Sequence, residues 1–83
     1  MNKNDIKILL VDDEPDILEI VGYNLKKEGY QIFTASNGSE AVKCAKKIIP
    51  NLILLDIMMP EMDGIEACEK IRKIKSLDNV IIS

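Results

Sequence analysis

The sequence predicts an α/β fold in which a doubly wound parallel sheet carries helices on both faces, and three observations point there. Two short, almost wholly apolar runs, KILLV (residues 7–11) and LILL (residues 52–55), have the composition of strands covered on both sides. Between and after them lie segments whose apolar residues recur at helical spacing. Strand-like and helix-like segments alternate as β-α-β-α-β-α-β, the order of a parallel sheet built with right-handed crossovers.

Each element has its own warrant. The run Lys7–Val11 stops at Asp12-Asp13-Glu14, and Pro15 follows. Proline suits the first turn of a helix, where its missing N–H has no partner anyway, and acids beside it complement the positive end of the helix dipole. From Asp16 the residues Ile17, Leu18, Val21 and Leu25 form a helical stripe, which Gly29 terminates. Tyr30–Ala35 (YQIFTA) is β-branched, aromatic and partly alternating, so it reads as a second strand. Ser36-Asn37-Gly38-Ser39 is a turn, with Ser39 expected to cap the helix marked by Ala41, Val42, Ala45, Ile48 and Ile49. Pro50-Asn51 ends that helix. Leu52–Leu55 is the third strand, and Asp56–Gly64 (DIMMPEMDG) is a loop containing two breakers, Pro60 and Gly64. Ala67, Cys68, Ile71 and Ile74 mark a third helix, residues 76–79 form a polar connection, and Val80-Ile81-Ile82 begin a fourth strand.

Size and composition narrow the function. A chain of 83 residues, 47% hydrophobic and 30% charged, is one small domain with material for a core. A net charge of −3 argues against direct nucleic-acid binding, which needs clustered lysine and arginine. The pairs Lys26-Lys27, Lys46-Lys47 and Arg72-Lys73 read as solvated helix faces. No apolar stretch reaches the roughly 18 residues needed to span a bilayer, and the polar start MNKNDIK is no secretion signal. Cys44 and Cys68 lack metal-like spacing and the chain has no histidine, so they read as free thiols in a reducing compartment. A cytoplasmic location is expected.

The chemistry is carried by aspartates. Asp12-Asp13 follow the first strand and Asp56 follows the third; in open α/β sheets, ligands bind outside the carboxyl ends of the strands. Carboxylates at strand ends often do no more than cap the next helix. Two acidic strand ends in one short chain, with a tight turn after the second, favour chemistry. Neighbouring first and third strands would bring the three aspartates together, a costly arrangement unless a cation neutralises them. Mg²⁺ is the natural choice, because it takes one or two carboxylates together with water and a phosphate.

These residues resemble the receiver domains of bacterial two-component response regulators. The resemblance runs from KILLVDDEP to LILLDIMMPEMDGIE and IRKI and covers essentially the whole chain. It implies a flavodoxin-like sheet of order 2-1-3-4. It makes Asp56 both the phosphoacceptor and a Mg²⁺ ligand, Asp13 a direct Mg²⁺ ligand, Asp12 a ligand through ordered water, and the backbone carbonyl of Met58 the remaining protein ligand. Met59, Pro60 and Gly64 would shape the loop, while the side chains of Met59 and Met62 fill space. The implied partner is a sensor histidine kinase whose phosphohistidine supplies the phosphoryl group. Such a domain is a signalling module and not a conventional enzyme.

The family pattern has five strands and five helices, so the 83 residues match its N-terminal portion, without the fifth strand and the last two helices. The switch hydroxyl and the phosphate-pairing lysine of the family lie further on, and Ser83 falls short of the hydroxyl position. With the first helix alone on its face of the sheet, LLV and LIL surface is expected to stay exposed and to drive self-association. Two other function classes use the same residues. An aspartyl-phosphate phosphatase of the haloacid-dehalogenase type needs a second aspartate where Met58 stands. A phosphorylation-independent interaction module would need neither the lysine nor the hydroxyl.

Overall fold

The computed structural model describes residues 2–55, 64–77 and 80–82. Its elements are β1 (Lys7–Val11), α1 (Pro15–Lys27), β2 (Gln31–Ala35), α2 (Gly38–Ile48), β3 (Leu52–Leu55), α3 (Gly64–Arg72) and β4 (Ile81–Ile82), with short 3-10 turns at Lys3–Asp5 and Lys75–Leu77. The four strands are parallel in the order β2-β1-β3-β4, as expected for a flavodoxin-like sheet. Register follows from burial: Leu9 pairs with Phe33 on one side and Ile53 on the other, so one apolar row crosses the sheet. A one-residue slip would turn that row to the opposite face.

Alternation divides the strand residues between two unequal layers. Leu9, Val11, Ala35 and Ile53 join Ala41 and Ala45 of α2, Ile71 of α3, and Leu77 and Val80 in one buried cluster. On the other face α1 lies over β1 and β2, where the buried Gly22 lets the helix approach closely. A Cβ at Gly22 would stand 3.7 Å from both Ile32 and Leu10. Coverage fades toward β4. Along the row Ile8–Leu52–Ile81, exposure rises from 3% at Ile8, through half-buried Leu52, to 64% at Ile81.

Helix ends account for most differences from the sequence-based expectation. The α1 terminus behaves as predicted: Gly29 takes φ 106, its N–H donates to Lys26 O (2.9 Å), and Tyr30 N–H donates to Leu25 O (3.3 Å). That is the two-bond Schellman closure, and it uses Tyr30, so β2 begins at Gln31 and not at Tyr30. The α2 cap is Asn37 and not Ser39. The Asn37 side chain accepts from Glu40 N–H at 2.9 Å, while Glu40 Oε1 accepts from both the N–H and the hydroxyl of Ser36 at 3.0 Å. This is a capping box displaced by one residue, because the returning carboxylate reaches the residue before the cap.

Ile49, read as helical, is instead the C-cap of α2 in the left-handed region (φ 49, ψ 71). Pro50 disfavours the right-handed helical region for the residue before it, and the left-handed alternative costs about 1–2 kcal/mol for an L-residue. The segment 76–79, read as a polar connection, contains the fully buried Leu77 in a 3-10 turn; Val80 is buried ahead of β4 and not within it.

Candidate functional site

The site lies at the carboxyl edge of the sheet. Val11 pairs with Leu55, so the acidic segment starts one residue beyond the paired end of β1, and Asp56 is the next residue in sequence after the paired end of β3. Asp12 N–H donates to Ala35 O at 3.2 Å, which extends the β1–β2 ladder by one bond and fixes the start of the turn. Asp12 Oδ1 then accepts from Glu14 N–H at 2.9 Å, closing an Asx turn into α1. Pro15 opens the helix, and Glu14 O accepts from the N–H groups of Ile17 and Leu18.

This turn gathers three carboxylates. Asp12, Asp13 and Glu14 each offer an oxygen within 4.8 Å of the other two; Asp12 is half-buried, while Asp13 and Glu14 are exposed. Sequence reasoning placed Asp12 and Asp13 here and missed Glu14, whose proximity depends on the tight turn. The bonds divide the roles: Asp12 commits one oxygen to the start of α1 through Glu14 N–H, while the Glu14 side chain makes no cap hydrogen bond. A group of acids this close, with few internal donors, fits a hard divalent cation by charge and by oxygen chemistry. Asp56, Met58, Met59 and Pro60, together with Ser83, lie outside the described residues; Gly64 is the first residue of α3.

Next to this cluster, Ser36, Asn37 and Glu40 fasten the β2–α2 turn. The hydrogen bonds from Ser36 hold the Glu40 carboxyl below its ordinary range, with smaller help from Lys43. Cys44 and Cys68 are both free thiols, and burial pushes the Cys44 thiol upward. Among the described residues no helix is long and apolar enough to cross a membrane.

Fold and acidic edge together define a class, and comparison with known proteins identifies it. Residues 8–83 match the family model of the response regulator receiver domain, and the chain belongs to that family. It is 46% identical over 82 residues to the alkaline phosphatase synthesis transcriptional regulatory protein PhoP of Bacillus subtilis, covering 99% of this chain and 33% of that protein. Among solved structures it resembles the chemotaxis response regulator CheY4 of Vibrio cholerae (TM-score 0.89, 34% identity, 93% of this chain and 64% of that one). It also resembles the response regulator TrrA of Thermotoga maritima in complex with Mg²⁺-BeF (TM-score 0.84, 44% identity, 93% and 65%). A further structure holds TrrA in complex with the histidine kinase ThkA (TM-score 0.82, 44% identity, 93% and 65%). The chain thus spans about a third of the curated relative and just under two thirds of these solved chains.

Proposed function

We propose that this receiver domain accepts a phosphoryl group on Asp56 from the phosphohistidine of a sensor histidine kinase, in a Mg²⁺-dependent transfer. The observation that carries the reading is the β1–β3 register, which sets the acidic turn of β1 beside the strand end that leads to Asp56. Two similarities support it: TrrA has been solved with Mg²⁺-BeF and with a histidine kinase.

In this mechanism the Asp56 carboxylate is the nucleophile. Its oxygen forms a new O–P bond as the N–P bond of the donor phosphohistidine breaks, and the imidazole keeps the electron pair. Asp13, with the Met58 carbonyl, would hold the metal directly, and Asp12 would act through water. Bound Mg²⁺ supplies neutralisation of the charge on the phosphoryl oxygens. Asp12 also holds the turn through Glu14 N–H, which fixes where Asp13 stands. Met59, Pro60 and Gly64 would shape the loop that carries Asp56. Hydrolysis of the acyl phosphate returns the carboxylate and releases inorganic phosphate. The free thiols of Cys44 and Cys68 fit a cytoplasmic setting for this exchange.

The test is direct. Incubation with Mg²⁺ and acetyl phosphate should add one phosphoryl group by intact mass, and Asp56→Asn or chelation of the metal should abolish it. Undiminished labelling of a folded Asp56→Asn variant would overturn the assignment.

A further inference from the structure

The outer edge of β2 carries unpaired backbone groups in a regular pattern. β2 ends the sheet on one side. At its start Gln31 N–H donates to Ile6 O (3.0 Å), and at its end Ala35 O accepts from Asp12 N–H (3.2 Å). Bonding direction alternates along a strand, so Gln31, Phe33 and Ala35 face β1. Ile32 and Thr34 turn their N–H and C=O groups outward, where among the described residues these groups have no partner. Natural edges are blunted by charge, proline or a bulge. The segment Tyr30–Ser36 (YQIFTAS) has no charge, proline or glycine, and β2 runs in register with β1 without a bulge. Above this edge a shallow cleft of about 360 Å³ separates α1 from β2, lined by Leu18, Glu19, Tyr23, Lys26, Ile32 and Thr34.

We propose that the β2 edge is a contact with a second copy of this chain, in which β2 and its mate pair antiparallel about a two-fold axis normal to the sheet at Phe33. In that register Ile32 of each copy faces Thr34 of the other, and each such pair exchanges two N–H···O bonds. Every outward group of Ile32 and Thr34 is then bonded. Half-buried Phe33 meets its mate across the axis on the α2 face, an aromatic cross-strand pair. The helices fit the same symmetry. α1 rests on β1 and β2, so the two copies of it stand roughly two strand spacings apart, about 9.6 Å, within the range of packed helices. Tyr23, 66% exposed on the cleft side of α1, lies in that seam.

Charge selects the second copy as the occupant and the antiparallel sense. α1 runs opposite to the strands, so exposed Glu19 lies toward the carboxyl edge of the sheet and exposed Lys26 toward the amino edge. Gly22 stands between them, over Ile32 and so close to the axis. The two-fold operation therefore brings Glu19 of each copy toward Lys26 of the other. On the larger scale it sets the acidic edge (Asp12, Asp13, Glu14 and Asp16) beside the basic one (Lys26-Lys27 and Lys46-Lys47). Each copy uses its β2 edge once, so the pairing closes at two copies. The contact is small, below about 1,200 Å² in total, the class of weak and transient associations. A dissociation constant on the order of 0.1–1 mM is expected.

The contact uses none of the residues assigned to phosphoryl transfer and does not depend on that reading. Sedimentation equilibrium of the 83-residue chain, from micromolar to millimolar, should show a monomer–dimer equilibrium that added NaCl shifts toward monomer. Hydrogen exchange read by NMR should slow at the Ile32 and Thr34 amides as concentration rises, while Phe33, already bonded to β1, stays constant. Thr34→Pro removes an N–H that the monomer does not use, so it should keep the far-UV circular dichroism and weaken the dimer at least ~10-fold. Glu19→Lys and Lys26→Glu, both at exposed helix positions, should each weaken it roughly 10-fold. The double reversal Glu19→Lys/Lys26→Glu should restore it. Ile49→Glu, exposed outside this edge, should leave the dimer intact. A monomer at every concentration, a chain without a cooperative fold, or association that survives Thr34→Pro would overturn the proposal. So would Ile32 and Thr34 exchange that ignores concentration, or a double reversal no tighter than the single ones.

Discussion

The same substitution, glycine to alanine, should have opposite effects at Gly22 and Gly29. Gly22 sits inside α1, and a Cβ there meets Ile32 and Leu10 at 3.7 Å, ordinary van der Waals contact. Alanine is better than glycine in a helix interior by roughly 0.5–1 kcal/mol, and burying the methyl adds about 0.8 kcal/mol at most. Gly22→Ala should therefore raise stability by about 1 kcal/mol. Gly29 sits at φ 106, where a Cβ clashes with its own backbone at a cost of about 1–2 kcal/mol. Restricting the unfolded chain returns about 0.4–1 kcal/mol, so Gly29→Ala should lose about 1 kcal/mol. The gap of about 2 kcal/mol exceeds the extrapolation error of urea melts. The melts should be run at fixed, low protein concentration so that association does not contribute. Shifts of the same sign in both variants would refute the reasoning, because the folded backbone would then not be what separates them.

The α2 cap and the half-buried Cys44 thiol give further expectations. Asn37→Ala should cost about 1 kcal/mol by orphaning Glu40 N–H, whereas Ser39→Ala should cost little; equal losses in urea melts would contradict the assigned cap. The folded-state Glu40 carboxyl titrates below its ordinary value of 4.5, so its contribution is present above that value and fades as pH falls through the lower, folded one. Glu40→Gln should accordingly flatten the acid limb of melting temperature against pH, and an unchanged limb would count against the Ser36 bonds. Burial raises the Cys44 thiol, so at pH 8 it should alkylate with iodoacetamide more slowly than free cysteine, read by peptide mass; equal rates would show that the thiol is not shielded.

How much was legible depended on whether a feature repeats. Strands β1 and β3 announced themselves because continuous apolar runs have few other uses, and α1 and α2 because several residues agree on one stripe. With two central strands and their crossovers placed, the order β2-β1-β3-β4 needed only the family resemblance. Single-residue decisions were harder. Asn37 and Ser39 both have the chemistry of a cap, and the choice between them turned on Glu40 reaching back to Ser36. Leu77 is one apolar residue in a polar stretch, with no period to reveal that it is fully buried. Ile49 extends the helical stripe of α2, and only the proline after it hinted at the left-handed cap. At the site, Asp12 and Asp13 were readable from their place after a strand, but Glu14 joins them through the Asx turn, which is a matter of φ and ψ more than of residue type.

That third carboxylate makes the acidic turn an energetic liability in the free chain. Among the described residues the side chains of Asp13 and Glu14 have no hydrogen bond or ion pair, and Asp12 has the single bond to Glu14 N–H. Two like charges at about 4.8 Å repel by about 0.9 kcal/mol in water, so Asp13, facing two neighbours within that distance, bears about 1.7 kcal/mol. The positive end of α1 returns about 0.3–1 kcal/mol. Asp13→Asn should therefore stabilise the metal-free chain by about 1 kcal/mol at low salt, and less at high salt. The same change should sharply weaken Mg²⁺ binding, followed by calorimetric titration. Saturating Mg²⁺ should raise the melting temperature of the unsubstituted chain and leave Asp13→Asn nearly unmoved. A role confined to the helix start predicts otherwise: Asp13→Asn, which loses only its charge against the positive end of α1, should melt level with or slightly below the unsubstituted chain, with no response to Mg²⁺ in either protein. Thermal melts with and without Mg²⁺ thus decide whether the acids serve the fold or a cation, and they do so without any phosphodonor.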